Sequence, residues 1–290
     1  MRTSSGWEAR ALVRSLTSVL AFFVFGSVAA ASGSVTDLGR PTNAIPLYRA
    51  LGSFRHIGTN LRIHGTPELL FVGTAQDEYS TAERWPVVKA LDQFGTFAGV
   101  RVAAGTPCTA DRESRVTCLP PADRTLATFD WQHARYTSRY LVFVYRELID
   151  GNGRVRQPLS PLELSLVKRY AALPGYSSWH DTVWQTAENA QESSSRHFPL
   201  LLVDGYLETG AEVAIPGDLS EKSGDHALSF ATVQDSLRTG KPIGQTPGTL
   251  IPDFNAEANI ITALICHADG KKPASVCGRP AIKAILKHVK

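Results

Sequence analysis

Residues Glu68 to Gly95 read ELLFVGTAQDEYSTAERWPVVKALDQFG, a strand, a turn and a helix in immediate succession. Leu69 to Val72 form a short apolar run of strand type. Ala75 to Tyr79 are turn-prone. Ser80 followed three residues later by Glu83 has the spacing of a capping box, which predicts a helix start at Ser80, and Gly95 is placed to end it. Pro86 falls inside that helix, where it removes one backbone donor and predicts a kink.

Outward from this block the chain keeps alternating. Upstream, a Gly/Ser/Thr/Pro-rich stretch from Ser32 to Asn43 reads as a linker, and Leu47, Leu51 and Phe54 recur at helical spacing. Downstream, GVRVAA, TLATFDW and YTSRYLVFVYREL carry the aromatic and β-branched residues of strands. Ser160-Pro161-Leu162-Glu163 combines a cap, an N1 proline and a box glutamate ahead of a helix. Residues 174–196 have no clear period and read as part of an irregular or helical insertion at about 158–197. HFPLLLVDGYLETGAEVAI then reads as proline, strand, Asp204-Gly205 turn and strand, because Asp-Gly favours the type I′ turn of a tight hairpin. Helices are expected through ALSFATVQDSLR to Gly240, through EANIITALICHADG to Gly270, and from Pro280 onward. Strands alternating with helices predict an α/β layer fold with a central mixed sheet flanked by helices.

The order of strand, turn, proline-containing helix, further strands and a Phe198-Pro199 step into a hairpin resembles the thioredoxin-like plan. More closely, FVGTAQDEYSTAERWPVVKALDQFGTF, HFPLLLVDGYL and ANIITALICHADGKKPASVC resemble the exported thioredoxin-like family catalogued as domain of unknown function 929. The resemblance runs from about Ile45 to Cys277, and AERW at Ala82 to Trp85 and FGTF at Phe94 to Phe97 are its most specific pieces. It implies a thioredoxin-like domain over 44–290 and a cis bond before Pro199. It also implies that the family's Cys-Pro-Tyr-Cys turn falls on Asp77, Glu78, Tyr79 and Ser80, where only the tyrosine is kept. Thiol–disulfide exchange needs an attacking thiolate and a resolving thiol. Neither Asp77 nor Ser80 supplies one, so no catalytic residue is expected at that turn. Asp77, Glu78, Tyr79, Ser80 and Pro199 remain as a groove for an extended polypeptide or another exported protein.

Residues 1–31 have the layout of a secretory signal: Arg2, Arg10 and Arg14, then the apolar run Leu16 to Ala31 ending in three alanines. An uncleaved anchor is the alternative, although a spanning helix needs about 20 apolar residues. Either way an extracytoplasmic location is expected, with membrane contact only through this segment. The chain has 30 basic and 27 acidic residues, and removing the leader's three arginines and Glu8 leaves a net charge of +1. That balance gives no footprint for nucleic acid.

Export favours oxidised cysteines, and Cys108, Cys118, Cys266 and Cys277 allow three connectivities. Pairing near neighbours closes two short loops, each adding about 3 kcal/mol in the chain-entropy model. The rival use is as a displaced redox pair, Cys108/Cys118 or Cys266/Cys277, which would make the chain a thiol–disulfide oxidoreductase. No metal is expected at Cys266, His267, Cys277 and His288, since the Cys-x₂₋₄-Cys spacing of structural zinc is missing. No cofactor motif appears. His180-Asp181, beside Ser177, Ser178, Trp179 and Trp184, admits a hydrolase reading without any nucleophile-elbow or metallo-hydrolase motif to support it.

Overall fold

The computed structural model describes residues 34–44, 51–52, 54–74, 77–105, 109–110, 116–117, 125–148, 156–171, 198–210, 213–221 and 226–290. The chain divides into two units, Met1–Gly33 and Ser34–Lys290. The leader, Leu47 of the expected upstream helix, Cys108, Cys118 and the Trp179 to Trp184 stretch lie outside the described residues.

The second unit is α/β with a mixed sheet at its centre. Its middle strand is β3 (Thr66–Gly73), flanked by β10 (Val142–Glu147) running parallel and β11 (Leu200–Val203) running antiparallel. β12 (Tyr206–Thr209) pairs with β11, and β1 (Arg55–His56) pairs with β12, giving the order β1-β12-β11-β3-β10. β2 (Arg62–Ile63) folds back on the start of β3. The apolar run Leu69 to Val72 is fully buried because both faces of β3 are covered. Leu69, Phe71, Leu201, Val203 and Tyr206 join the larger core, and Leu70, Val72, Leu200, Leu202 and Leu207 join a smaller one on the opposite face.

Helix α1 (Glu78–Leu91) follows β3 on the larger-core side and contains Pro86. Every residue from Ser80 to Leu91 is buried, since α1 packs against α4 (Leu250–Ala268), β8 (Leu126–Asp130) and the 3₁₀ turn Pro216–Leu219. Two expectations about this helix are corrected. Its N-cap is Asp77, whose side chain accepts from the Ser80 N–H at 2.6 Å, so Ser80 sits inside the first turn. Aspartate caps as well as serine does and stands earlier in the chain. Gly95 is not the stop. The helix ends at Leu91, and Gly95 opens β4 (Gly95–Ala98), where a Cβ would come 2.3 Å from the Thr137 carbonyl oxygen.

Between α1 and β10 the chain makes a long antiparallel excursion. β4 pairs with β9 (Arg135–Ser138), β5 (Arg101–Gly105) with β8, and β6 (Thr109–Ala110) with β7 (Val116–Thr117). The run YTSRYLVFVYREL is therefore two strands, β9 in this arm and β10 in the central sheet.

The other local signals hold. Ser160 and Glu163 form a reciprocal capping box on α2 (Pro161–Leu166). Asp204 (φ 52°) and Gly205 (φ 74°) make the type I′ turn of the β11–β12 hairpin. Gly240 closes α3 (Phe230–Thr239) in the left-handed conformation. α4 starts at Leu250, about two proline-containing turns earlier than EANIITALICHADG suggests, and α5 (Ala274–Cys277) and α6 (Pro280–Leu286) finish the chain.

Residues 34–43, the described part of the stretch from Ser32 to Asn43 expected as a linker, are together with Ala44 strapped to the body. Leu38 is fully buried, its carbonyl accepts from Lys89 Nζ, and Asn259 Nδ2 donates to the carbonyls of Thr42 and Ala44. Polar composition suggested a free spacer, but the backbone of the segment is held by side chains from α1 and α4.

Candidate functional site

β3 ends at Gly73 and α1 begins at Glu78, so the turn carrying Asp77 to Ser80 stands at one end of the central sheet. Leu200 is paired with Val72, and the Phe198-Pro199 peptide immediately before it is cis. The fold therefore brings the turn and Pro199 to the same sheet end. Ser80 and Pro199 are buried, Asp77, Tyr79 and Phe198 are half-buried, and Glu78 is exposed. Ser80 packs on Gly73, where a Cβ would sit 2.7 Å from its Oγ. The solvent-facing part of this end is thus Glu78 with portions of Asp77, Tyr79 and Phe198.

The Asp77 carboxyl is turned inward, and burial pushes its pKa up to about 7 against the pull of the Ser80 hydrogen bonds. Glu78 pushes it further up and Arg84 draws it down. This is a proton-holding cap. It has no sulfur to exchange, and the nearest basic side chain in α1, Arg84, is committed elsewhere.

One turn further along α1, three consecutive residues point into different parts of the interior. Arg84 donates to the Phe129 carbonyl at 2.7 Å and pairs with Glu147 at 2.8 Å, with the Trp131 and Tyr145 rings against its guanidinium. Trp85 donates to the Ala127 carbonyl at 2.9 Å and meets Phe129 edge-on and Phe230 at a tilt. Glu83 meets Glu208 of β12 and Glu257 of α4, and one carboxylate oxygen from each lies within 4.8 Å of the other two. All three glutamates are at most 1% exposed. Burial, then Glu208, then Glu257 raise the Glu83 pKa well above the usual carboxylate range.

Glu83 was visible in the sequence only as a box residue, and Glu208 and Glu257 were missed. A signal existed. Glu257 lies three residues after Phe254 and four before Ile261, on a face that also carries the apolar Leu250, Ile260 and Leu264, where a solvated glutamate is out of place.

Cys266 and Cys277 are joined, with Cα atoms 5.6 Å apart, and both are buried. The disulfide ties the end of α4 to α5. His267, considered beside them for a metal, instead contacts Asp204 of the hairpin turn through Nδ1. Among the described residues, a surface cavity of about 450 Å³ lies at the C-terminal helices and one of about 380 Å³ between residues 37–40, the end of α1 and α5, and neither is lined by a residue of the Asp77 turn. No described helix is long and apolar enough to cross a membrane.

Comparison with family models, curated proteins and solved structures returns no match to this chain.

Proposed function

We propose that this chain is an extracytoplasmic, thioredoxin-like module, similar to the domain of unknown function 929 family, that binds polypeptide without thiol chemistry at Asp77 to Ser80. The sheet order β10-β3-β11-β12, with β3 parallel to β10 and antiparallel to β11, supports that fold. So does a helix directly after β3 that carries an internal proline. The observation that carries the binding reading is that two half-buried aromatic side chains, Tyr79 of the capped turn and Phe198 before β11, stand at the same end of the central sheet. Phe198 lies two residues before the first residue of β11, so its backbone stands just outside the ladder at that end. An extended segment adding its backbone there would gain main-chain hydrogen bonds, with the two rings supplying apolar contact.

The alternative is an oxidoreductase working through Cys108/Cys118 or Cys266/Cys277; burial of Cys266 and Cys277 disfavours the second pair, because exchange requires access for a thiolate, and the first pair lies outside the described residues.

The test is fluorescence anisotropy with a labelled, cysteine-blocked unfolded polypeptide. Tyr79→Ala and Phe198→Ala are expected to weaken binding about tenfold each. Absence of saturable binding by the unaltered protein would refute the binding reading. Disulfide reduction faster than that of a cysteine-free variant would refute the loss of thiol chemistry.

A further inference from the structure

We propose that Glu83, Glu208 and Glu257 form a site for one hard divalent cation of the Ca²⁺, Mg²⁺ or Mn²⁺ class, enclosed between α1, β12 and α4. Three elements distant in sequence each place one carboxylate at the same buried point, with oxygens within 4.8 Å of one another. Oxygens on opposite sides of a hard cation bound at about 2.1 to 2.6 Å stand about 4.2 to 5.2 Å apart, so the trio can close on a single ion.

A second observation points the same way. Glu83 is completely buried, and among the described residues neither of its carboxylate oxygens has a hydrogen-bond partner. A buried carboxylate is stable only when paired, hydrogen-bonded or bound to a metal. The buried cations of α1 do not serve it: Arg84 is held by Glu147 and the Phe129 carbonyl, and Lys89 by the carbonyls of Leu38 and Leu237. Helix capping does not account for the group either, since Glu83 lies beyond the first turn of α1 and Glu257 beyond the first turn of α4.

The donor set selects the ion. Three carboxylates without histidine or thiolate suit oxygen-seeking cations and disfavour zinc or copper. A monodentate contact from each glutamate leaves positions for second oxygens of the same groups or for water. The Leu201–Glu208 pair is one residue inside the end of the β11–β12 ladder, so the ion would enter from the sheet end that carries Pro199. Without an ion, burial and mutual repulsion leave Glu83 to be neutralised by a proton. A cation would displace that proton, which makes the rival explanation, three carboxyls sharing protons, directly distinguishable.

The experiment takes the full-length protein, strips it with chelator, and titrates Mn²⁺ while free Mn²⁺ is followed by electron paramagnetic resonance. One ion bound per chain, competed by Ca²⁺ or Mg²⁺, is expected. The unfolding midpoint should rise by about 5–10 °C at a cation concentration 100 times Kd. Both responses should vanish in Glu208→Gln and Glu257→Gln, with an unchanged far-ultraviolet circular dichroism spectrum. If the unaltered protein binds none of the three cations at about millimolar concentration, the proposal is overturned, whatever the variants do. Retained binding in both folded variants overturns it equally. The outcome is independent of whether polypeptide binds near Pro199, because that assay runs on the same protein with and without cation.

Discussion

At the scale of single residues, Arg84 is the group whose loss the interior can least absorb. Removing it leaves Glu147 buried without its cation and the Phe129 carbonyl without its donor. Arg84→Met is expected to cost about 3–5 kcal/mol in urea unfolding. The double variant Arg84→Met/Glu147→Leu should recover a large part of that loss, because replacing both partners of a buried pair is far less harmful than removing one. Asp77 gives a pH signature. Its carboxyl is raised from an ordinary 3.8 to about 7 chiefly by burial, so the fold prefers the protonated form. The stability it contributes is complete below pH 4 and is lost as pH rises through about 7. Asp92 and Asp253, each raised to about 6, act in the same direction. Lys89, lowered to about 7, adds stability only as pH climbs from 7 toward 10.5. Asp77→Asn, which retains a capping oxygen, should therefore flatten the decline between pH 4 and 8 measured by unfolding midpoints, and unchanged curvature would contradict the assignment. Much of this was hidden in the sequence, where AERW stands out as a piece of a family resemblance but carries no sign of what each side chain meets. Its three directions of burial depend on β8, β12 and α4, none of which is adjacent in the chain.

At the scale of elements, local signals were read well where the chemistry is local. The Ser160–Glu163 box, the Asp204-Gly205 turn, the Gly240 cap and the Pro280 start all involve residues within a few positions of each other. The Ser80 cap misled because Asp77, three residues earlier, caps the same helix end equally well, and the Gly95 stop misled because that glycine is needed for a distant contact, against Thr137. The Cys266–Cys277 bridge is likewise a local closure, tying α4 to α5 over a sequence separation of 11. Replacing both with alanine is expected to lower stability by about 2–4 kcal/mol. Thiol titration of the unaltered protein should detect no reaction at these two positions until it is unfolded; ready labelling in the folded state would revive an exchange role.

At the scale of the whole molecule, the alternation of strands and helices conveyed the layers, while the long β4–β9 arm was not legible, since its pairings join residues up to 43 positions apart. The strap at residues 34–44 was also missed, because composition reports polarity and not who receives a carbonyl. A chain beginning at Ile45, compared with one beginning at Ser34, loses the burial of Leu38, one of the two carbonyl acceptors of Lys89 and the Thr42 and Ala44 acceptors of Asn259. Its unfolding free energy should fall by about 3–5 kcal/mol; equal stability of the two would mean the strap is ornamental. A consequence also follows from α1 having no solvent face between Ser80 and Leu91. The amide protons of most surface helices reach water through small local openings, but those of α1 have the sheet on one side and α4 and β8 on the others. Their exchange with deuterium should proceed only when the entire unit opens, so the slowest-exchanging amides of this protein lie just behind its sulfur-free turn, and their rate reports the global stability directly.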